Sequence, residues 1–339
     1  MKPSENPLGS EPVSSLLRRF AIPSVIAMLV SALYNMVDQL FIGHSIGVLG
    51  NAATNVAFPL SMVCTSIGLL CGIGGAANFN LCMGRKDPEH AKSYVGNAIS
   101  MLAILGVILC VAVQLFLRPM MLLFGATPDV IDYACTYTRI TSIGFPFLII
   151  TIGGSNLIRA DGSPKFSMLC NLVGAIVNTI LDPLFIFVLH LGIRGAALAT
   201  VLSQLIVLLW QFKLFSNPNE LIHLRRDTYR LERRIVTGSL SIGLSPFLIN
   251  LCACLVVIII NKQLVSYGGD VAVGAYGIAN RMMFFFVMVV IGINQGMQPI
   301  AGFNFGAKHY TRLNQVLKYA ITIATGIWIV GFIVCVLLA

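Results

Sequence analysis

The sequence predicts an all-α polytopic membrane protein, and three observations lead there. Of the 339 residues, 57% are hydrophobic and only 10% are charged, whereas a soluble domain carries about 25% charged residues. The apolar residues gather into runs of about twenty or more, the length that crosses a bilayer as a helix. Lys and Arg, in turn, gather in alternate gaps between those runs.

Nine runs qualify as transmembrane helices: 20–43, 54–80, 93–117, 133–158, 166–190, 195–216, 235–266, 272–302 and 313–338. The seventh and eighth are long for one crossing, and Pro246 is a candidate bend. With the N-terminus placed inside, sixteen Lys and Arg fall in inside segments and three in outside loops. That asymmetry predicts a cytoplasmic N-terminus. The formal charge of +9 is then loop charge, and no nucleic-acid partner is expected. Residues 1–19 are polar and contain Pro3, Pro7 and Pro12. They lack the pattern of a cleavable signal and read as a flexible cytoplasmic leader. The nine cysteines lie mostly in apolar runs without any C-x-x-C, so neither disulfides nor a metal centre is expected.

The polar, basic stretch 217–234 divides the chain. Across it a shift of 222 residues pairs Leu29 with Leu251, Gly47 with Gly269, Gly84 with Gly306, Lys86 with Lys308 and Ala98 with Ala320. The phrase Met83-Gly84-Arg85-Lys86 matches Phe305-Gly306-Ala307-Lys308 in sequence and in topological place. Six helices separate equivalent points, so the copies share one orientation, a parallel-repeat plan found in transporters. The expected division is a leader at 1–19, a six-helix lobe at 20–216, a cytoplasmic linker at 217–234 and a three-helix second lobe at 235–339. Three helices would complete the second copy, so the chain reads as truncated after its ninth helix. A native nine-helix protein is the alternative.

Chemistry centres on two acids. Among thirteen acidic residues, only Asp38 and Asp182 lie well inside predicted helices. A carboxylate there costs roughly 2.5–3.5 kcal/mol on insertion scales. Ser31, Tyr34, Asn35 and Asp38 share one helical face, as do Asn171, Ala175, Asn178 and Asp182. Pro183 follows at once, and its missing N–H frees the carbonyl of Thr179. Counting inward from the outer ends, the two acids differ by only about 5 Å in depth. Two carboxylates sharing one low-dielectric place take up a proton, or trade it for Na⁺ held by oxygen ligands, with Asn178 supplying an amide oxygen. The counterpart of Asp38 in the second copy is Ile260, which confines the ionisable site to the first half. That half is followed by Asn280-Arg281 and by Gln295 and Gln298, polar residues that line a cavity or join helices. A membrane phosphotransferase would need several clustered acids, so no enzyme is expected.

These residues resemble the bacterial multidrug and toxic compound extrusion (MATE) transporters over essentially the whole chain. The resemblance rests on Pro23 followed by Tyr34-x3-Asp38, on Asn178-x3-Asp182-Pro183, and on Gly292-x2-Gln295-Gly296-x-Gln298-Pro299-x2-Gly302-x3-Gly306. It implies two lobes around a cleft in a multi-pass protein of the bacterial inner membrane, surrounded by lipid and working as a monomer without cofactor. It implies antiport of organic cations or drugs against Na⁺ or H⁺. An ion site at Asp38, Asn178, Asp182 and Thr200 follows from it, with Tyr34, Asn35, Tyr137 and Asn171 lining or supporting the pocket and Pro23 at a bend. Asn156, Gln295, Gln298 and Arg281 rank lower, Asn156 because it lies too near the inner end unless Pro146 bends its helix. A lipid-linked saccharide flippase of similar plan and a non-transporting fragment are the alternatives.

Overall fold

The computed structural model describes residues 6–216 and 229–338, and at 254, 257–258, 261–262, 264–266, 268–282, 335 and 338 it describes the backbone alone. Most of the expected linker 217–234 therefore lies outside the described residues. The ordered chain runs α1 (Pro7–Ser10), α2 (Val13–Ile46), α3 (Val48–Gly84), α4 (Pro88–Leu115), α5 (Leu117–Leu123), α6 (Ile131–Ile143), α7 (Phe145–Ala160), α8 (Pro164–Pro183), a π-helical turn (Leu184–Val188), α9 (Ile193–Phe215), α10 (Arg233–Gly306) and α11 (Tyr310–Leu338). Among the described residues eight helices are long and apolar enough to cross a membrane. The number rises to nine if the bent pair α6–α7 is one span.

Three differences from the sequence reading matter. First, the leader is not loose from Asn6 onward. Asn6 caps α1 by accepting from the Leu8 N–H, Leu8 is buried, and the Leu8 carbonyl accepts from Asn304 at 3.0 Å and from Arg312. Second, the span expected at 133–158 is broken by 54° between α6 and α7. Gly144 ends α6, and Pro146 in the first turn of α7 has no N–H to continue the hydrogen-bond ladder backward. Third, 235–266 and 272–302 form one helical run, α10. That run is not straight. A Cβ on Gly74 of α3 would fall on the backbone of Ser239, and one on Gly84 would fall on the backbone of Phe303. A straight helix would hold residues 239 and 303 about 95 Å apart, yet their contacts on α3 are about 15 Å apart. Along α3, Leu70 meets Gly243 and Gly74 meets Ser239, whereas along α2, Ala21 meets Gly296 and Val25 meets Gly292. The two ends of α10 are thus far closer than a straight helix allows, so the chain turns back between Ala253 and Met283, giving two limbs.

Packing forms two main bodies of contact. Cys64, Cys71, Leu102, Met121, Ile149 and Leu208 belong to a core shared by α3 to α7 and α9. Leu16, Leu17 and Phe20 of α2 instead pack with Ile293, Ile300 and Phe303 of α10 and Val316 of α11. Val25 still packs with that group, but toward its other end α2 changes partners: Ile42 packs with Ile186 and Ala196. In a bilayer such contacts act through van der Waals fit rather than water exclusion, which favours small residues at close crossings.

The 222-residue repeat is visible in the backbone. Gly84 ends α3 and Gly306 ends α10. Lys86 and Lys308 both take left-handed conformations, at φ 62° and 59°. The Asp87 N–H donates to Cys82 and the Lys86 N–H to Met83, while His309 donates to Asn304 and Lys308 to Phe305. The same C-terminal cap, with the same non-glycine residue in the strained position, is built twice.

Candidate functional site

Asp38 projects from α2 and Asp182 from the end of α8, and both are buried. The two carboxyl groups lie within hydrogen-bonding reach of each other. Asp38 Oδ1 and both carboxylate oxygens of Asp182 are buried without a hydrogen-bond donor. A buried carboxylate without partners is costly, and here three such oxygens face one another.

Local sequence explains the placement. The polar face of α2 packs on α8, bringing Asp38 to Asp182. Pro183 ends regular α-helix at the acid itself, and the wider π turn Leu184–Val188 follows. π turns of this kind recur at functional sites. Gly195, in the first turn of α9, approaches the backbone of Phe185 and Ile186 too closely for any side chain. That contact pins the π turn against α9, the helix that carries Thr200.

Tyr137 completes the cluster from α6. Its hydroxyl is within hydrogen-bonding reach of Thr200, and its ring lies close to Asp38, Asp182 and Tyr34. Tyr34 also stands near both acids, with its hydroxyl within reach of Asn35. Asn178 is buried one turn before Asp182. Asn35 is exposed and donates to the Ser31 carbonyl at 2.7 Å, and Asn171, two turns further down, donates to the Ser167 carbonyl at 2.9 Å. A polar cavity lined by Ser61, Tyr137, Thr141, Thr200 and Gln204 adjoins the cluster.

Sequence reasoning missed Gln39. Its side chain lies within hydrogen-bonding reach of Asp38, and its Oε1 accepts from Thr54 Oγ1 of α3 at 3.0 Å. Being neutral and one residue off the polar stripe, it gave no periodic signal.

A second polar cluster lies elsewhere, at the end of the molecule bearing Gly84 and Gly306. Arg159, one residue past the span expected at 133–158, is in the last turn of α7 and only 4% exposed. Its guanidinium donates to Asn156 Oδ1 at 2.7 Å and to Gln295 Oε1 of α10. Asn80, Gln298 and Pro299 line the same small cavity. Asn156, Gln295 and Gln298 thus gather around Arg159 rather than around the acids. The α6–α7 bend does not bring Asn156 to Asp38. The side chain of Arg281 lies outside the described residues.

The arrangement gathers two carboxyl groups, two tyrosines and neutral polar side chains in one buried place. No group of three or more His, Cys, Asp or Glu side chains is close enough to hold a metal among the described residues. Comparison with known proteins adds the family. The MatE family model matches residues 23–184 and 244–339. The chain is 28% identical over 307 residues to the multidrug export protein MepA of Staphylococcus haemolyticus, covering 90% of this chain and 67% of that one. It superposes with a TM-score of 0.91 on an outward-facing multidrug resistance MATE transporter of the MOP superfamily, at 25% identity, over 98% of this chain and 74% of that one. A third relative, the MATE multidrug transporter DinF-BH solved in complex with rhodamine 6G, is 36% identical with a TM-score of 0.89, over 98% of this chain and 74% of that one. The match over most of the sequence, the helical architecture and the buried acid pair lead to one conclusion: the chain belongs to the MatE family, and is a multi-pass membrane transporter rather than an enzyme.

Proposed function

We propose that this chain is a secondary active exporter of organic cations or drugs, driven by inward movement of H⁺ or Na⁺ through Asp38 and Asp182. The observation that carries this reading is the set of three buried carboxylate oxygens without donors. A proton or a small hard cation satisfies them, and in this reading Asn178 and Thr200 add neutral oxygens. Relatives named as multidrug exporters, one of them solved with rhodamine 6G, support the substrate class.

In this reading residues 20–216 form one lobe and 235–339 the second, joined by the linker 217–234. The N-terminus is cytoplasmic. Supporting it, Arg85, Lys86, Lys308 and Arg312 sit at the end where Gly84 meets Phe303. Close backbone approach at that inner end supports an outward-facing state. An arriving cation removes the repulsion between the two acids and draws α2 toward α8. Pro23, buried before the point where α2 changes its packing partners, is the place for the helix to bend. The rearrangement narrows the first-lobe cavity and displaces the drug outward.

The test is efflux of rhodamine 6G from proteoliposomes under an imposed pH gradient or an imposed Na⁺ gradient. Asp38→Asn and Asp182→Asn are each expected to reduce gradient-driven efflux to the level of protein-free liposomes. The gradient that drives the unsubstituted protein identifies the ion. Undiminished gradient-dependent efflux in the double variant would sink the proposal.

A further inference from the structure

Arg159 carries a charge that the ion site does not use. It is buried at the inner end, and the ion pairs among the described residues do not include it. What stabilises it is a set of dipoles. It lies in the last turn of α7, where helix carbonyls carry partial negative charge, and it holds two amide oxygens, those of Asn156 and Gln295. The two amides differ in kind. Asn156 is one turn away on the same helix, whereas Gln295 is on the second limb of α10. The Arg159–Gln295 bond thus ties α2–α9 to α10–α11 through side chains alone.

Its surroundings are otherwise neutral and close-packed. The Asn78 amide donates to the Gly238 carbonyl at 3.2 Å. Gly306 meets the Leu81 backbone with no room for a Cβ. Beside the guanidinium is one acceptor with nothing to accept. Asn80 Oδ1 is buried without a donor, and Asn80 lines the same cavity as Arg159. Asn80 belongs to α3, packed in one body with α7. The guanidinium therefore has an acceptor across the seam and a second, unused acceptor on its own side.

We propose that Arg159 is the inner-gate residue of the transport cycle, exchanging Gln295 for Asn80 as the seam opens. With the seam closed, the guanidinium bridges to Gln295. As α10 moves away, Asn80 Oδ1 and entering water take up the released N–H groups, so the charge is never left bare in the membrane. A carboxylate in place of Gln295 would make a bond too strong to open in each cycle. A neutral side chain in place of Arg159 would leave no charged contact to close the seam. This inference rests on the two-lobe exporter reading given above.

Hydrogen–deuterium exchange of the full chain in lipid nanodiscs tests it, read on peptides covering 76–84, 153–160 and 293–303. Gln295→Leu and Arg159→Met are expected to speed exchange there about tenfold, the worth of one charge-assisted hydrogen bond. The double variant should match either single one. Gln295→Glu and Asn80→Ala act in the opposite sense: the first strengthens the closed bond, and the second removes the acceptor of the open state. Both should slow seam exchange and slow rhodamine 6G efflux. Opposite signs from two substitutions at residue 295 separate a gate from general loss of structure, and Arg159→Lys should restore part of the closure. Equal or same-sign responses in Gln295→Leu and Gln295→Glu overturn the gate. Seam responses of the expected signs, together with efflux that survives Asp38→Asn, would keep the gate and reject the coupling assignment. Loss of efflux in Asp38→Asn with an indifferent seam would do the reverse.

Discussion

At Asp38 the scale of the single residue already contains a chain of dependence. The Thr54 hydroxyl orients Gln39, and Gln39 reaches the carboxylate. Gln39→Leu removes a polar side chain from beside the carboxylate, and a hydrogen bond to a charged group is worth about 1.5–3 kcal/mol. Efflux should persist, but the ion concentration that half-saturates it should shift about tenfold, measured by titrating Na⁺ or pH at fixed rhodamine 6G. Asp38 and Asp182 were legible in the sequence because a carboxylate in an apolar run is expensive enough to demand a reason. Gln39 and Arg159 were not. A neutral amide beside the stripe costs little, and an arginine near a helix end reads as loop until the neighbouring helices bury it. A different acid, Asp87, lies outside the membrane spans. It accepts from the His90 backbone N–H at 3.3 Å and pairs with the His90 ring. These bonds, the backbone one first, hold its carboxyl below the usual carboxylate range. The stabilisation is therefore present above the unfolded value, about pH 4, and is lost as pH falls through the lowered folded value. Amides at the start of α4 should exchange faster in that window, and Asp87→Ala should abolish the pH dependence.

Elements reveal where periodicity stops being informative. The spacing of apolar residues found α2, α3, α4, α8, α9 and α11 to within a few residues, apart from the ordered N-terminal turns of α2. It read α6 and α7 as one span because both limbs are apolar, although Gly144-Phe145-Pro146 is the local signal for a break. It read 235–266 and 272–302 as two spans, and two candidate spans remain within α10, at Arg233–Ala253 and Met283–Gly306; what it did not show is that the connection between them is helical as well. Close crossings are a further property that composition underdetermines. At Gly74 of α3 the partner is the Ser239 backbone. Gly74→Val should force α3 and α10 apart, with an overpacking cost of about 1–3 kcal/mol. The expected outcome is a lower melting temperature together with faster exchange at 237–243, while the acid pair continues to bind its ion.

For the whole molecule, the offset of 222 residues was readable as a handful of identities, and the structure turns it into duplicated geometry at Lys86 and Lys308. These lysines report orientation. In inside-out vesicles a membrane-impermeant amine reagent should modify both, and in intact cells neither; the reverse pattern would invert the topology proposed here. The division of α2 between two bodies of contact has a mechanical consequence. Its lower part is tied into α10 and α11 through Leu16 and Phe20, and α1 is strapped down by Arg312 and Asn304. From Pro23 to Asp38 the helix extends about 22 Å. A pivot of about ten degrees at Pro23 sweeps the carboxylate through about 4 Å, more than the length of a hydrogen bond. α2 is thus a lever with its short arm clamped: a small torque at the base makes or breaks the Asp38–Asp182 contact, and in the proposed cycle an ion seated between the acids exerts the same torque in return.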